Sequence, residues 1–239
     1  MTGVQTCALP ILVEKKQSKR FQAASKLADK TRVYTLKDAV AVLKSFPKTK
    51  FDESVEVAFH LRVDTKKSDH MIRGTVVLPH GTGKKVRIAV FCRGEAEKEA
   101  KEAGADIIGA QELIDKVAGG WMDFDCVVAT PEMMRDLSKL GKVLGPRGLM
   151  PSPKTGTVTQ NVTQAIKDLK AGKVEFKVDK QGGIHVAVGK ISFTEPQINE
   201  NALTLIETIK NARPASVKGE FIKSVSVSTS MGPGLKVSV

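Results

Sequence analysis

The sequence has little cysteine, few aromatic side chains and no long apolar run. Its 239 residues include three cysteines, one tryptophan and one tyrosine, and aromatic residues make up 5% of the chain. Three scattered cysteines are too few for a disulfide framework or a zinc knuckle, so we expect reduced thiols. No segment approaches the roughly 18 apolar residues that a membrane-spanning helix needs, so we expect a soluble, cytoplasmic protein.

Patterns that indicate catalysis or metal binding are also missing. No serine or cysteine lies in a local catalytic signature, and the histidines lack the spacing of metal ligands. The four histidines are His60, His70, His80 and His185. The sequence therefore predicts no enzymatic activity, no cofactor and no metal site.

Two glycine-containing turns resemble nucleotide-binding motifs only in outline. Residues 81–85 (GTGKK) have Leu78 where a Walker loop needs glycine, and Lys85 where it needs a hydroxyl. The turn at Gly94 has one glycine where a dinucleotide fingerprint needs three. A nucleotide-dependent enzyme is thus the weaker hypothesis, testable by calorimetry with ATP and NAD. Another hypothesis is a protein that binds duplex DNA, but the chain lacks a helix-turn-helix or zinc pattern.

Positive charge is what the chain has in excess. It carries 38 Lys and Arg against 26 Asp and Glu, a net charge of +12, which favours a polyanionic partner. The charge is uneven: residues 12–80 carry +7, residues 81–172 carry +2 and residues 173–239 carry +3. If the two flanks fold together, they form the electrostatic footprint for a polyanion.

The first eleven residues differ in composition from the segment after them. Residues 1–11 have no charged side chain, whereas the next nine hold five, namely Glu14, Lys15, Lys16, Lys19 and Arg20. The segment lacks the basic start and longer apolar stretch of a secretory signal. We interpret residues 1–11 as a non-native prefix, so that Cys7 and Pro10 have no functional meaning.

Periodicity predicts different folds for the flanks and the middle. In the flanks, Thr35 caps a helix near 36–46, and alternation predicts a half-buried strand over 55–63. The other flank elements are a strand at 72–78, strands at 174–178, 184–188, 222–228 and 235–239, and a helix at 195–211. Together they predict a discontinuous antiparallel α+β sandwich.

The middle segment alternates strands with helices. Strands are predicted at 86–92, 106–108 and 126–129, and helices at 95–103, 112–117, 131–140 and 162–169. Such alternation indicates a small parallel sheet with right-handed crossovers, a Rossmann-like α/β domain. The sequence thus predicts two domains: 12–80 with 173–239, and an insert at 81–172.

A dense glycine and proline cluster spans residues 145–154. Its Gly145-Pro146-Arg147-Gly148 core could clamp a nucleic-acid backbone as a KH loop does, but that motif is weak evidence. Three prolines fit better in a sharply turned linker between domains, which we favour. Arg147 and Lys154 are then candidate phosphate contacts.

The segment at 221–234 is rich in small hydroxyl side chains. If Val225 and Val227 point inward, Ser224, Ser226 and Ser228 share the outer face of a strand. Small hydroxyls let an RNA backbone approach and can bond phosphates and ribose 2′-OH groups. An ordinary solvent-facing strand explains the same pattern equally well.

Several ordered blocks together resemble one family, the bacterial large-subunit ribosomal protein L-one family, proteins of the mobile ribosomal stalk. The likeness runs from about Lys19 to the C-terminus, and so many blocks are highly specific. The matching stretches are residues 50–57 (KFDESVEV), Ser68-Asp69, Arg73-Gly74-Thr75, residues 78–81 (LPHG), 103–106 (AGAD), 121–125 (WMDFD), 144–153 and 228–233 (STSMGP).

The resemblance implies partners and roles. The protein would bind large-subunit ribosomal RNA in the ribosome and help to release deacylated tRNA from the exit site. It would also repress its own operon by binding its mRNA. It also implies an inserted domain between two hinges and a monomer when free of the ribosome. The predicted hinge residues are Pro79, Gly81, Gly83, Gly145, Pro146, Gly148, Pro151, Pro153 and Gly172.

The resemblance also implies an RNA-binding surface. Its residues would be Lys50, Phe51, Glu53, Ser54, Ser224, Ser230, Met231 and Gly232, together with Asp179 and Lys180. Lys50 would neutralise phosphate, the serines and the Gly232 N–H would contact sugar and backbone, and Phe51 and Met231 would shield those bonds from water. Core packing of Phe51 is an open alternative. Family members commonly have threonine where this chain has Ser230, which keeps the hydroxyl.

Overall fold

In the part of the chain that the structure describes, the fold is mixed α/β with three sheets. The computed structural model describes residues 18–29, 31–63, 65, 71–214, 217 and 219–238. The predicted prefix at 1–11 and the Ser68-Asp69 block lie outside these residues. Within them, no helix is long and apolar enough to cross a membrane.

The largest sheet has five strands from both ends of the chain. They are β1 (Val33–Tyr34), β2 (Ser54–Leu61), β8 (Gly183–Lys190), β9 (Ile222–Thr229) and β10 (Leu235–Val237), in the order β1-β10-β9-β2-β8. Strand β2 pairs antiparallel with both β8 and β9, whereas β1 pairs parallel with β10. Strands of both flanks share this sheet, as predicted, but the predicted strands at 72–78 and 174–178 lie outside it, and the β1–β10 pair is parallel instead of antiparallel.

Three helices accompany this sheet. They are α1 (Lys19–Leu27), α2 (Leu36–Ser45) and α8 (Glu195–Asn211). The Thr35 hydroxyl caps α2 by accepting from the Asp38 N–H, as predicted, and a capping box of Thr194 and Gln197 begins α8. Apolar residues of α2 and α8 form one core with the inward residues of the strands, such as Val57. The opposite face of the sheet carries the polar residues of the strands.

The second sheet has three parallel strands in the order β5-β4-β6. They are β4 (Ile88–Phe91), β5 (Ile107–Gly109) and β6 (Cys126–Ala129). All four residues of β4 are buried, and they alternate between two apolar clusters. One cluster includes α7 (Val162–Ala171) and Ala100 of α3 (Glu95–Glu102), and the other includes α4 (Gln111–Ala118). The predicted small parallel sheet is therefore present.

The predicted single helix at 131–140 is interrupted. Helices α5 (Met134–Leu137) and α6 (Gly141–Leu144) alternate with 3₁₀ turns at Pro131–Met133 and Ser138–Leu140. The Ser138 hydroxyl donates to the Met134 carbonyl at 2.7 Å, a bond that competes with the helical pattern. Gly141 further lowers the helix propensity at the junction.

The chain passes into and out of the parallel-sheet region along paired strands. Strand β3 (Arg73–Val77) pairs antiparallel with β7 (Lys173–Lys177) in a separate two-stranded ribbon. At its end, the Leu78 N–H donates to the Gly172 carbonyl at 3.3 Å. Gly172 has a φ of 103°, and a Cβ built there would lie 2.4 Å from the Gly81 Cα. The two connections between the ribbon and the parallel-sheet region, one after β3 at Gly81 and one before β7 at Gly172, therefore touch. Glycine is required at the point of contact.

A buried amide on α8 holds the first connection in place. Asn201 has 0% exposure and accepts a hydrogen bond from the His80 N–H at 3.1 Å. Its Nδ2 donates to the Gly81 carbonyl at 3.0 Å and to the Val188 carbonyl at 2.7 Å. These bonds tie the turn after β3 to the helix and to β8.

The structure places residues 145–154 differently from the predicted linker. Leu149 and Met150 pack against an apolar cluster beside the parallel sheet, and Val158 bridges to Ala129 at the edge of that sheet. The chain then forms α7 in the same region and crosses to β7 only at Gly172. Gly145, Pro146, Gly148, Pro151 and Pro153 thus lie within the parallel-sheet region, where the neighbouring Leu144 is buried and Leu149 and Met150 are partly buried.

Candidate nucleic-acid interface

Two predicted motifs that are far apart in sequence meet at one end of the five-stranded sheet. Strand β2 begins at Ser54 where β9 ends, with Val55 opposite Thr229. The Ser230 N–H donates to the Ser54 carbonyl at 3.0 Å, and the Ser54 N–H donates to the Ser230 Oγ at 3.1 Å. The Ser230 hydroxyl is therefore already an acceptor within the protein, and its exposed side keeps further capacity for a partner.

Glu53 lies beneath this pair instead of on the surface. It is 5% exposed, and its carboxylate accepts from the Arg20 guanidinium at 3.0 Å and from the Met231 N–H at 3.4 Å. Burial raises the pKa of Glu53, but the nearby Thr229 and Thr49 hydroxyls, Arg20 and the Met231 N–H outweigh it, so the pKa lies below its usual value. Glu53 positions the turn at Met231 instead of presenting its carboxylate to a ligand.

Phe51 and Met231 are exposed apolar side chains at this end of the sheet. Their exposures are 55% and 52%, so core packing does not account for Phe51. The Lys50 side chain beside Phe51 is exposed as well. The two segments joined by the Ser54–Ser230 pair thus carry an exposed cation and two exposed apolar side chains, which suits a surface that both attracts a polyanion and excludes water from its bonds.

Gly232 is held tightly in the turn after β9. Its N–H donates to the Thr229 carbonyl at 3.2 Å, so a contact from this N–H to RNA would have to share that bond. A Cβ at this position would lie 2.4 Å from the Thr229 Oγ1 and 3.1 Å from the Phe46 ring. The glycine is therefore explained by close packing beneath the turn.

Lys190 and Asp52 complete this end of the sheet, and neither was predicted. The Lys190 Nζ donates to the Ser54 Oγ at 2.8 Å and approaches the Asp52 carbonyl at 3.4 Å. The Asp52 carboxylate accepts from the Ser192 hydroxyl at 2.7 Å and from its N–H at 3.2 Å. Only the register of β8 against β2 brings these residues together, and no local motif signals it.

The remaining predicted residues lie at the opposite end of the same sheet. Ser224 and Gly183 both pair with His60, whereas Ser230 lies beyond Thr229. Six residues of strand separate Ser224 from Ser230, about 20 Å. Lys180 is exposed in the turn before β8. The structure thus divides the predicted surface into two groups, one at each end of β9.

Asp179 acts within the turn that connects β7 to β8. Its carboxylate accepts from the Gly183 N–H at 2.7 Å and from the Gln181 N–H at 2.8 Å. These bonds lower the pKa of Asp179 below its usual value, and the bond from the Gly183 N–H has the largest effect. The carboxylate thus shapes the turn that presents Lys180.

The predicted alternation along β9 is confirmed. Val225 and Val227 are buried, whereas Ser224 is exposed and Ser226 and Ser228 are half-buried. The three serines therefore share the polar face of the sheet and connect its two ends. Small hydroxyl side chains along this face leave the backbone accessible to a bulky ligand.

The chain matches the model of the ribosomal protein L1p/L10e family over residues 43–233. The chain belongs to this family. Among curated L1p/L10e relatives, the large ribosomal subunit protein uL1 of Protochlamydia amoebophila (strain UWE25) is 53% identical over 222 residues, which cover 93% of this chain and 94% of the relative. The match includes both strand ends that meet at Ser54 and Ser230 and the parallel-sheet region between them.

Outside this surface, the described residues offer no group of three or more His, Cys, Asp or Glu side chains that could hold a metal ion. Cys92 and Cys126 are free thiols. Burial, with a smaller effect of the Glu97 charge, raises the pKa of Cys92 to about 11, and burial also raises that of Cys126. Neither thiol is therefore an activated nucleophile.

Proposed function

We propose that this chain binds large-subunit ribosomal RNA as a non-enzymatic ribosomal protein, through the end of the sheet where Ser54 meets Ser230. The observation that carries the proposal is the hydrogen bonding between Ser54 and Ser230, which joins the segment with the exposed Lys50 and Phe51 to the turn with the exposed Met231. Family membership supports the ribosomal assignment. The positive charge of the flanks supports an RNA partner, because neutralised phosphates release counterions.

The second group of residues extends the proposed contact along the sheet. Ser224, with Asp179 shaping the turn and Lys180 exposed in it, would contact RNA about 20 Å from Ser230. The serines of β9 support this extension, since they leave a flat hydroxyl-bearing path between the two ends. Arg147 lies in the parallel-sheet region and is not part of the proposed surface, and the side chain of Lys154 lies outside the described part of the structure.

We further propose a two-domain arrangement in which residues 81–172 are a nearly neutral insert that moves on hinges. Separate apolar clusters in the insert and in the five-stranded sheet support this division. The hinges would be the turn from Pro79 to Gly83 and the residue Gly172, where the two connections touch. The insert would then swing while the sheet stays fixed on RNA.

Two finer roles are implied by the resemblance to the stalk proteins. A mobile insert at the edge of the large subunit would assist release of deacylated tRNA from the exit site. The same sheet surface would bind a similar RNA fold in the protein's own mRNA and repress its operon. One RNA surface can serve both ribosomal RNA and mRNA only if the two RNAs present the same backbone shape.

The assigned surface is tested by filter binding to a ribosomal stalk RNA fragment. Met231→Ala and Ser230→Val are each expected to weaken binding about tenfold or more, since each removes water exclusion or a hydroxyl at the surface. Ser230→Thr should bind like the wild type. Leu203→Ala is the matched control, because Leu203 is a similarly exposed apolar residue on α8. Affinities of Met231→Ala and Ser230→Val within about threefold of wild type would overturn the surface.

A further inference from the structure

A groove lies directly beside the proposed RNA surface. It has a volume of about 650 Å³ and runs between the end of α2 and the segment that leads into β2. Its apolar lining includes the buried Leu43 and Phe46, the half-buried Ile191 and the exposed ring of Phe51. We name it the Phe51 groove. An exposed phenyl ring on an apolar groove is a surface on which a flat apolar ligand can stack.

The charges of the Phe51 groove are not balanced. Of its two carboxylates, Glu53 is paired with the Arg20 cation, whereas Asp52 accepts hydrogen bonds from the uncharged Ser192 and keeps its negative charge. The lysines have no such partner: within the described residues, Lys44, Lys48 and the adjacent Lys50 form no ion pair. These three lysines outnumber the one carboxylate that has no cationic partner, so the net charge at the groove is positive and favours an anionic ligand.

The Phe51 groove is continuous with the proposed RNA surface. Glu53 lines the groove and also accepts from the Met231 N–H, so the two sites share a wall. An RNA chain seated at Ser54 and Ser230 would pass the mouth of the groove without leaving the protein. A ligand that is both flat and anionic, and already present at that place, is a nucleotide of the same RNA.

We propose that the Phe51 groove receives one unpaired nucleotide of the bound RNA, whose base stacks on the Phe51 ring while Lys44 and Lys48 neutralise its flanking phosphates. This inference rests on the proposed RNA-binding function and adds a base site to it. An unpaired base suits such a groove because every base has a π-face, and stacking on an aromatic side chain is tolerant of sequence. The two lysines add attraction that depends on salt.

Stacking on a base and shielding hydrogen bonds from water place different requirements on the side chain at position 51. A side chain that only excludes water from neighbouring hydrogen bonds can be leucine as well as phenylalanine, because both are apolar. A stacking platform needs an aromatic ring. Phe51→Trp should therefore keep the affinity, while Phe51→Leu and Phe51→Ala should each weaken RNA binding about 5- to 100-fold, the range expected for one stacked base.

The experiment pairs these variants with a set of stalk RNA fragments, each lacking the base at one unpaired position. At one position, removing the base is expected to weaken binding of the RNA to the wild-type protein by the same factor as Phe51→Leu weakens binding of the intact RNA. Combining this abasic RNA with Phe51→Leu should cause no further loss of affinity. Lys48→Gln should reduce the slope of log affinity against log salt by about 0.7 to 0.9, one phosphate contact. Thermal unfolding of each variant checks folding, which should be unchanged because Phe51 is exposed.

The outcomes separate this inference from the proposed function. Wild-type affinity of Phe51→Leu, or the absence of any abasic position coupled to Phe51, would overturn the base site while leaving RNA binding intact. Wild-type affinity of Met231→Ala and Ser230→Val would instead overturn the RNA surface itself. Coupling between Phe51 and one abasic position, with rescue by Phe51→Trp, would establish the base site.

Discussion

At the scale of single residues, the buried carboxylate of Glu53 connects α1, the loop before β2 and the turn after β9. It accepts from Arg20 and from the Met231 N–H, and its pKa lies below its usual value. A lowered pKa in the folded state means that this stabilisation is present above the unfolded pKa of about 4.3 and is lost as the pH falls through the lower folded value. Stability should therefore fall in acid partly through this one group.

Glu53→Gln is expected to lower the free energy of unfolding at pH 7 by about 2 kcal/mol, because it removes charge-assisted hydrogen bonds in a buried place. The difference from wild type should shrink as the pH falls below about 4.3. Urea unfolding of the wild type and the variant at pH 7 and at pH 3 measures the loss of stability and its dependence on pH. The control is Glu56→Gln, since Glu56 is exposed on β2, the strand that follows Glu53. An equal effect of the two variants would contradict the positioning role.

Residue types and motifs predicted the residues that meet at the Ser54–Ser230 end of the sheet, but neither the role of each one nor the position of Ser224 at the opposite end. The Phe51, Ser230 and Met231 motifs carry enough local information to be recognised, and the structure brings them together. The roles of Glu53, Arg20 and Lys190 depend on burial and on the register of β2 with β8 and β9. Those are long-range properties, so a local pattern could not supply them.

At the scale of elements, α8 both packs on the sheet and holds the first connection through Asn201. Asn201→Leu is expected to lower the free energy of unfolding by about 3 kcal/mol, because it leaves the His80 N–H and the Gly81 and Val188 carbonyls without their partner. Asn211→Leu, at the exposed end of the same helix, should change it by less than about 0.5 kcal/mol. Urea unfolding compares the two, and similar midpoints would contradict the anchoring role.

Elements with strong periodicity or caps were predictable to within a few residues. Helix α8 and strand β6 match their predicted bounds, and Thr35 caps α2 as expected. Helix α1 and strand β1 were missed. Helix α1 has one buried residue, Ala24, and β1 has two residues that pair only with β10. Such elements are stabilised by tertiary packing and carry little signal of their own.

At the scale of the whole molecule, the contact between Gly81 and Gly172 constrains how the two connections lie. Gly172→Ala adds a Cβ 2.4 Å from the Gly81 Cα, as well as strain at a φ of 103°. Gly120→Ala is the control, since Gly120 has a similar φ of 95° but nothing within 4 Å of a Cβ. We expect a loss of about 1 kcal/mol for the control and clearly more for Gly172→Ala. Equal losses, measured by urea unfolding, would exclude the close approach.

The distribution of charge predicts how RNA binding responds to salt. The net charge of the flanks exceeds that of residues 81–172, so a series of phosphate contacts on the sheet should give a steep loss of affinity with salt, with a slope of about −0.7 to −0.9 per contact. Titrations of stalk RNA between about 50 and 200 mM salt measure this slope. A flat response would contradict charge-driven recognition.

The arrangement β1-β10-β9-β2-β8 has a consequence for the timing of synthesis. Ser54 and Ser230 are separated by 176 residues, and β9 lies in the middle of the sheet although it is translated after β1, β2 and β8. At about 5 to 20 residues per second, roughly 10 to 35 s pass between the translation of the two serines. The parallel-sheet region has all its strands long before then. A nascent chain therefore cannot recognise RNA through this surface until residue 230 has been translated and β9 has paired with β2.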